Sequence, residues 1–99
     1  MDRKLTCLVR DIRSFWKDAS IYLFGSRANG KARADSDYDL IIVSHKFSGV
    51  PFADRAWQVW RRSDAILAAD LLCYTPKELE KVRRSSIVVQ SALKCAVML

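Results

Sequence analysis

The sequence predicts an α/β (α+β) domain, a small mixed β-sheet flanked by helices. Three observations predict it. Apolar residues recur at spacings of three and four near the start of the chain and again after residue 52, as on amphipathic helices. Short β-branched and aromatic runs, 20–24, 38–43 and 65–74, alternate with those helices and have the composition of strands. The run Tyr38-Asp-Leu-Ile-Ile-Val43 is nearly continuous in apolar character, which fits a strand covered on both faces.

Each element has its local reason. Leu5, Leu8, Val9, Ile12, Phe15 and Trp16 form one stripe of a helix over roughly 3–17, with Lys4, Arg10, Asp11 and Arg13 opposite. Ser20–Phe24 is a buried strand ending at Gly25, and Tyr38–Val43 is a second strand. A loop from Ser44 to Val50 contains Gly49, and Pro51 stands where a first helical residue is favoured. Phe52, Ala56, Val59 and Trp60 make the stripe of a helix over 52–62. Ala65 to Tyr74 is a third strand with Ile66, Ala68, Asp70, Leu72 and Tyr74 on one face. Thr75-Pro-Lys-Glu78 starts a helix with a threonine cap, a proline and a closing glutamate; helical character runs through Val82 and, past Ser85-Ser86, to Leu93. Cys95 to Leu99 suits either a frayed end or an edge strand.

Ninety-nine residues without a repeat or a compositional break suit a single domain over 1–99. A hydrophobic fraction of 51% with only three Gly and two Pro excludes disorder, collagen and low-complexity linkers. A formal charge of +6 suits a polyanionic ligand, such as a nucleotide, a nucleic acid or an acidic partner; it equally suits a solvated surface rich in lysine and arginine. Cys7, Cys73 and Cys95 form no framework and no metal-ligand spacing, and His45 is the one histidine, so reduced thiols in a cytoplasmic protein are expected. No stretch reaches the roughly 20 apolar residues of a membrane span, and the start of the chain lacks the apolar core of a signal peptide.

The chemistry concentrates in Gly25-Ser-Arg-Ala-Asn-Gly-Lys-Ala-Arg-Ala-Asp-Ser-Asp-Tyr-Asp-Leu40. A strand ends in Gly-Ser, a small polar and basic segment follows, and two aspartates two apart open the next strand. Gly25 allows a sharp turn and close backbone approach. A helix starting just after Ser26 would face its unpaired N–H groups toward phosphate oxygens, with the Ser26 hydroxyl, Arg27, Lys31 and Arg33 close by. Asp37 and Asp39 project to the same side of a strand and repel each other unless a cation sits between them. Such hard oxygen ligands suit Mg²⁺ or Mn²⁺. Asp70, the one acid in the apolar run Ile66–Tyr74, is the candidate third carboxylate, since burying a lone aspartate is costly unless it is paired or metal-bound. A strand beside Tyr38–Val43 would bring it to the same face. Asp-x-Asp alone is also common in turns, but the turn reading leaves Asp70 unexplained.

Gly25-Ser26, Gly30, Ser36-Asp37-x-Asp39-Leu40 and Asp70 resemble the pattern of the DNA polymerase β-like nucleotidyltransferase superfamily. At this length the chain is similar to its minimal nucleotidyltransferases, relatives of kanamycin nucleotidyltransferase. The resemblance covers most of the chain and fades near Leu93-Lys-Cys-Ala-Val97. It implies nucleotidyl transfer from ATP or another nucleoside triphosphate with two Mg²⁺ ions and loss of pyrophosphate. Asp37 and Asp39 would bridge the metals, Asp70 would hold the metal at the acceptor hydroxyl and could take its proton, and Gly25, Ser26 and Arg27 or Lys31 would cradle the β- and γ-phosphates.

Little chain remains for an acceptor domain, so a second copy or a partner is expected to complete that site. Trp57, off its helix stripe, and Tyr22, Phe47 and Phe52, near strand ends or loops, are candidates for such a surface, or else fill the core. Minimal nucleotidyltransferases resemble antitoxins paired with HEPN-domain ribonuclease toxins, in which AMP is added to a tyrosine of the partner; other members act on tRNA ends or antibiotics. Arg61-Arg62 and Arg83-Arg84 suit RNA or an acidic partner, or simply complement helix dipoles. The competing reading is a non-catalytic antitoxin that neutralises its partner by contact.

Overall fold

A computed structural model describes residues 2–28, without the Ser26 side chain, and 37–99. Helix α1 (Arg3–Phe15) begins where the Asp2 carboxylate accepts from the Lys4 N–H at 2.8 Å, and it buries Leu5, Leu8, Val9 and Ile12. Strand β1 (Ser20–Phe24) leads into a 3₁₀ turn, Gly25–Arg27, and strand β2 (Tyr38–Val43) follows. Helix α2 (Phe52–Arg61), strand β3 (Ala69–Tyr74), helices α3 (Pro76–Ser85) and α4 (Ile87–Lys94) and strand β4 (Val97–Met98) complete the chain. The capping box at α3 forms as expected, the Glu78 N–H reaching Thr75 Oγ1 at 3.2 Å and Glu78 Oε1 accepting from the Thr75 N–H at 2.8 Å. Ser86 then caps α4, so the double serine divides two helices.

The sheet order is β3-β2-β1-β4. β1 runs antiparallel to β2 and to β4, whereas β2 and β3 are parallel, which makes the sheet mixed as expected. One face carries Ile21, Leu23, Leu40, Ile42, Leu71 and Cys73 into a core with α1, Trp16, Phe47 and Val59. On the other face, α3 and α4 approach one end: a cavity of about 370 Å³ separates Ser20, Tyr22 and Val43 from Pro76, Leu79 and Leu93. Asp39 belongs to this second face by alternation, but four residues before Val43, or about 13 Å along the strand at 3.3 Å per residue.

The third strand is shorter than the expected 65–74. The residues just before it are held on α1: Asp11 Oδ2 accepts from Ser63 Oγ at 2.8 Å and from the Asp64 N–H at 3.2 Å. The ladder begins only where the Tyr38 N–H meets the Ala68 carbonyl, and Ile66 stays 84% exposed. Phe47, which the sequence leaves open between a surface candidate and the core, is fully buried against Trp16, whereas Phe52 and Trp57 are exposed. The last residues settle as an edge strand, fastened by the Leu99 N–H to the Ile21 carbonyl at 2.9 Å. No helix among the described residues is long and apolar enough to cross a membrane.

A joint unforeseen in the sequence ties α2 to α3. Arg55, 4% exposed, forks onto Glu78, with Nη2–Oε2 at 3.0 Å, and also donates to the Val50 and Cys73 carbonyls. The Arg55 bond, then that from the Thr75 N–H, holds the Glu78 carboxyl at about 2. Burial pushes the Cys73 thiol up to about 12, so it behaves as an apolar core residue.

Candidate active site

The site is built at the start of β2 by three chain segments. The antiparallel register sets Phe24 opposite Asp39, so the turn at Gly25 follows directly beside that carboxylate. Gly25 has φ +74°, and a Cβ there would lie 2.5 Å from Asp39 Oδ2. Glycine is thus required twice, once for the backbone conformation and once for the space. From the other side, the parallel register pairs Asp39 with Asp70. Cross-strand partners share a face, with Cβ atoms roughly 5 Å apart. Asp37 stands just ahead of β2, exposed.

The electrostatics agree with this crowding. Burial raises the Asp39 carboxyl's pKa, and the charges of Asp70 and then Asp37 raise it further. Asp70 itself is exposed, which corrects the expectation of an acid buried in an apolar strand. The alternation of β3 explains the error: Leu71 and Cys73 go to the core, and Asp70 goes to the open end of the opposite face. The half-buried acid of the group is Asp39.

Of the phosphate-binding candidates, Gly25 and Arg27 are placed in the 3₁₀ turn, where the Ala28 N–H closes onto the Gly25 carbonyl at 3.1 Å. The Ser26 side chain, Gly30, Lys31, Arg33, Asp35 and Ser36 lie outside the described residues, as does any helix through 29–36. Arg27 carries its guanidinium 4.5 Å from the centre of the Tyr38 ring, and the Tyr38 hydroxyl donates to Asp2 Oδ2 at 3.0 Å. Sequence reasoning missed Tyr38 and Asp2, because neither helix periodicity nor the Asp-x-Asp spacing marks them.

The donor chemistry fits a divalent cation. Three carboxylates repel one another here, the half-buried one is hard to ionise, and no bond to a cationic side chain reaches Asp37, Asp39 or Asp70 among the described residues. Among those same residues no three His, Cys, Asp or Glu side chains stand gathered into a complete metal cage. Magnesium is commonly held by one or two carboxylates with substrate phosphates and water completing its shell. A concavity of about 710 Å³ beside Lys77, Lys81 and Arg84 on α3 contains none of the three acids. Chemistry rather than volume locates this site.

The comparisons with known proteins point the same way. Residues 6–95 match the nucleotidyltransferase domain family. A Haemophilus influenzae protein named as a probable protein adenylyltransferase, MntA, is 34% identical over 80 residues, 78% of this chain and 70% of its own length. A Sulfolobus solfataricus chain classed with the nucleotidyltransferases shares the fold at a TM-score of 0.60 with 22% identity, over 96% of this chain and 80% of its own. With the family match extending from α1 to the end of α4, this chain belongs to the nucleotidyltransferase domain family.

Proposed function

We propose that this nucleotidyltransferase moves AMP from ATP to a hydroxyl of a protein, a tyrosine of a HEPN-domain partner, and so serves as the antitoxin of a toxin–antitoxin pair in the cytoplasm. The observation that carries the catalytic reading is the Asp39–Asp70 register beside a turn where only glycine leaves room for the Asp39 carboxylate. The name of the H. influenzae relative supports a protein acceptor, and the HEPN tyrosine rests on the resemblance of the Gly-Ser to Asp-x-Asp block.

In this reading the acceptor oxygen forms a bond to the α-phosphorus while the bond to the β-phosphate oxygen breaks and pyrophosphate departs in line. Asp37, Asp39 and Asp70 would hold Mg²⁺, or Mn²⁺ in its place, which when bound supplies positive charge against the triphosphate and lowers the pKa of the acceptor hydroxyl. Asp70, which is exposed, would take the hydroxyl proton. Gly25 lets the backbone approach the triphosphate, with Ser26, Arg27 and Lys31 as its further contacts.

Incubation with ATP labelled at the α-phosphate, Mg²⁺ and a lysate containing the partner tests the proposal. Label should enter a protein tyrosine, and Asp37→Ala or Asp39→Ala should abolish it. Asp70→Asn should keep nucleotide binding and lose transfer; full transfer by that variant removes Asp70 from the mechanism. Partner neutralisation that survives the double Asp37/Asp39 alanine change would establish the contact-only antitoxin instead, and label in RNA would move the acceptor class to tRNA.

A further inference from the structure

We infer that the outer face of the α3–α4 hairpin docks an acidic, amphipathic helix of a protein partner, and so receives the chain that carries the acceptor hydroxyl. The inference rests on the reading of that acceptor as a protein and adds the surface that binds it.

Charge comes first. Lys77, Lys81 and Arg84 follow one another at spacings of four and three, so they line one stripe of α3. Arg83 and Lys94 add two further cations on α3 and α4. Only Glu78 and Glu80 oppose these five on the two helices. Glu78 is taken by the buried Arg55, and Glu80 is shared between Arg83 at 3.6 Å and Arg84 at 3.3 Å. Lys77, Lys81 and Lys94 are exposed and form no ion pair among the described residues. Like charges four apart destabilise a helix, and a carboxylate brought by another chain would relieve that repulsion.

Shape and apolar surface then set the class of partner. The stripe borders a concavity of about 710 Å³, and Arg83, Gln90 and Lys94 line a second one of about 380 Å³ from both helices. At the start of α4, Ile87 and Val88 are 81% and 78% exposed. Neither helix holds an aromatic residue, so a nucleic acid would find cations for its phosphates but no ring for its bases. A second copy would bring the same cations against these and be repelled. A membrane surface takes a helix with a broad apolar face, whereas α3 has only Leu79 and Val82, both partly buried. A helix with carboxylates on one side and aliphatic residues on the next matches both parts of this surface. The hairpin also stands on the sheet face that carries Asp39, since Pro76, Leu79 and Leu93 meet Ser20, Tyr22 and Val43 there. A partner held on it approaches the site from the Asp39 side of the sheet.

Two measurements test the docking face. The first is the fluorescence anisotropy of a labelled helical peptide of about 20 residues, glutamate on one face and leucine on the other, in about 50 mM salt. Lys81→Glu with Arg84→Glu should weaken its binding about tenfold or more, and Ile87→Asp about fivefold. Arg61→Glu with Arg62→Glu, an equal change of charge on α2, should stay within about twofold of the parent. Equal losses from the α2 and α3 pairs would mean attraction by net charge alone and overturn the inference. So would a peptide of glutamate and alanine that binds as well, single-stranded RNA or anionic vesicles that bind more tightly than the peptide, or no binding by the parent protein. The second measurement reads transfer of label from ATP to the protein acceptor at low acceptor concentration. The Lys81→Glu, Arg84→Glu variant should lose about tenfold or more in transfer, with its dissociation constant for ATP within about twofold of the parent. Full transfer by that variant overturns the docking face and leaves nucleotidyl transfer intact. A parent protein that labels no protein overturns the acceptor reading and the role given to the face, while the peptide still decides whether the face binds an acidic helix.

Discussion

Strand β3 has a charged group at each end, and the two are built on opposite rules. Just past its C-terminal end, Glu78 meets Arg55, and each nitrogen of that guanidinium has an acceptor within the chain. At its N-terminal end, Asp70 meets Asp39 in register with Asp37 close by, three like charges with no bond to a cationic side chain among the described residues. The first arrangement is complete as folded and joins α2 to α3. In the second, burial and then the charges of Asp70 and Asp37 raise the cost of ionising the Asp39 carboxyl. A fold that pairs a buried arginine so fully has no structural use for like charges crowded at the other end of β3. The contrast separates a structural joint from the proposed cation and phosphate site.

The sharpest way to break the comparison is Asp39→Asn. Loss of one carboxylate from the cation site should lower transfer by about 10³-fold or more, several kcal/mol of charge stabilisation at tenfold per 1.4 kcal/mol. At neutral pH the same change should raise the thermal midpoint, because it removes the half-buried member of a repelling group. Label transfer and a thermal melt measure the two. A variant that loses stability instead would mean that Asp39 is a structural acid like Glu78.

Gly25→Ala is expected next in size. The new Cβ meets Asp39 Oδ2 at 2.5 Å and the residue must hold φ +74°. Displacing a site carboxylate by about 1 Å costs on the order of 10²-fold in rate, and the left-handed backbone costs a further ~1–2 kcal/mol in stability. In an Asp39→Ala background the steric part vanishes and only the backbone part should remain in the melt, which tells the two causes apart.

At the other end of the strand, Glu78→Gln should leave rates alone and destabilise by about 2 kcal/mol, since it strands a buried guanidinium on two carbonyls and weakens the α3 cap. Chemical denaturation reads this directly. If transfer fell together with stability, α3 would have to belong to the site.

How much of this was legible in the sequence divides along the same line. β1 and β2 start and stop where their apolar runs do, and the threonine cap of α3 is local chemistry, so those elements read straight from the chain. The three aspartates read as a group because period-two alternation and one lone acid in a strand are one-dimensional signals. What did not read was set by neighbours distant in sequence. Asp11 of α1 captures 63–64 and shortens β3. Arg55 looks like the polar side of α2 until Glu78, Val50 and Cys73 converge on it. Asp70 was placed in the interior because its flanking residues are apolar, yet the open end of the sheet leaves it exposed.

Acid pH should finally bring the two ends together, and with opposite signs. The Glu78 carboxyl is depressed from 4.5 to about 2, so its stabilisation is fully present above the unfolded value and is lost as pH falls through about 2. A sealed pair would be worth more than about 3 kcal/mol for such a shift. The Glu78 side chain is 43% exposed, and solvent screening reduces this to about 1–2 kcal/mol. Asp39 is raised, so its ionisation costs the fold nothing below the ordinary aspartate range and its full amount above the raised pKa. Relative to the parent protein, the Glu78→Gln deficit and the Asp39→Asn gain should therefore both be largest near neutrality. The Asp39→Asn gain should disappear first, as pH falls through the raised Asp39 pKa to the ordinary aspartate range. The Glu78→Gln deficit should persist below pH 4.5 and close only toward about 2. Denaturation midpoints of the three proteins from pH 7 to pH 2 measure the order of those two crossings. The reverse order would assign the repulsion to the joint and the pairing to the site.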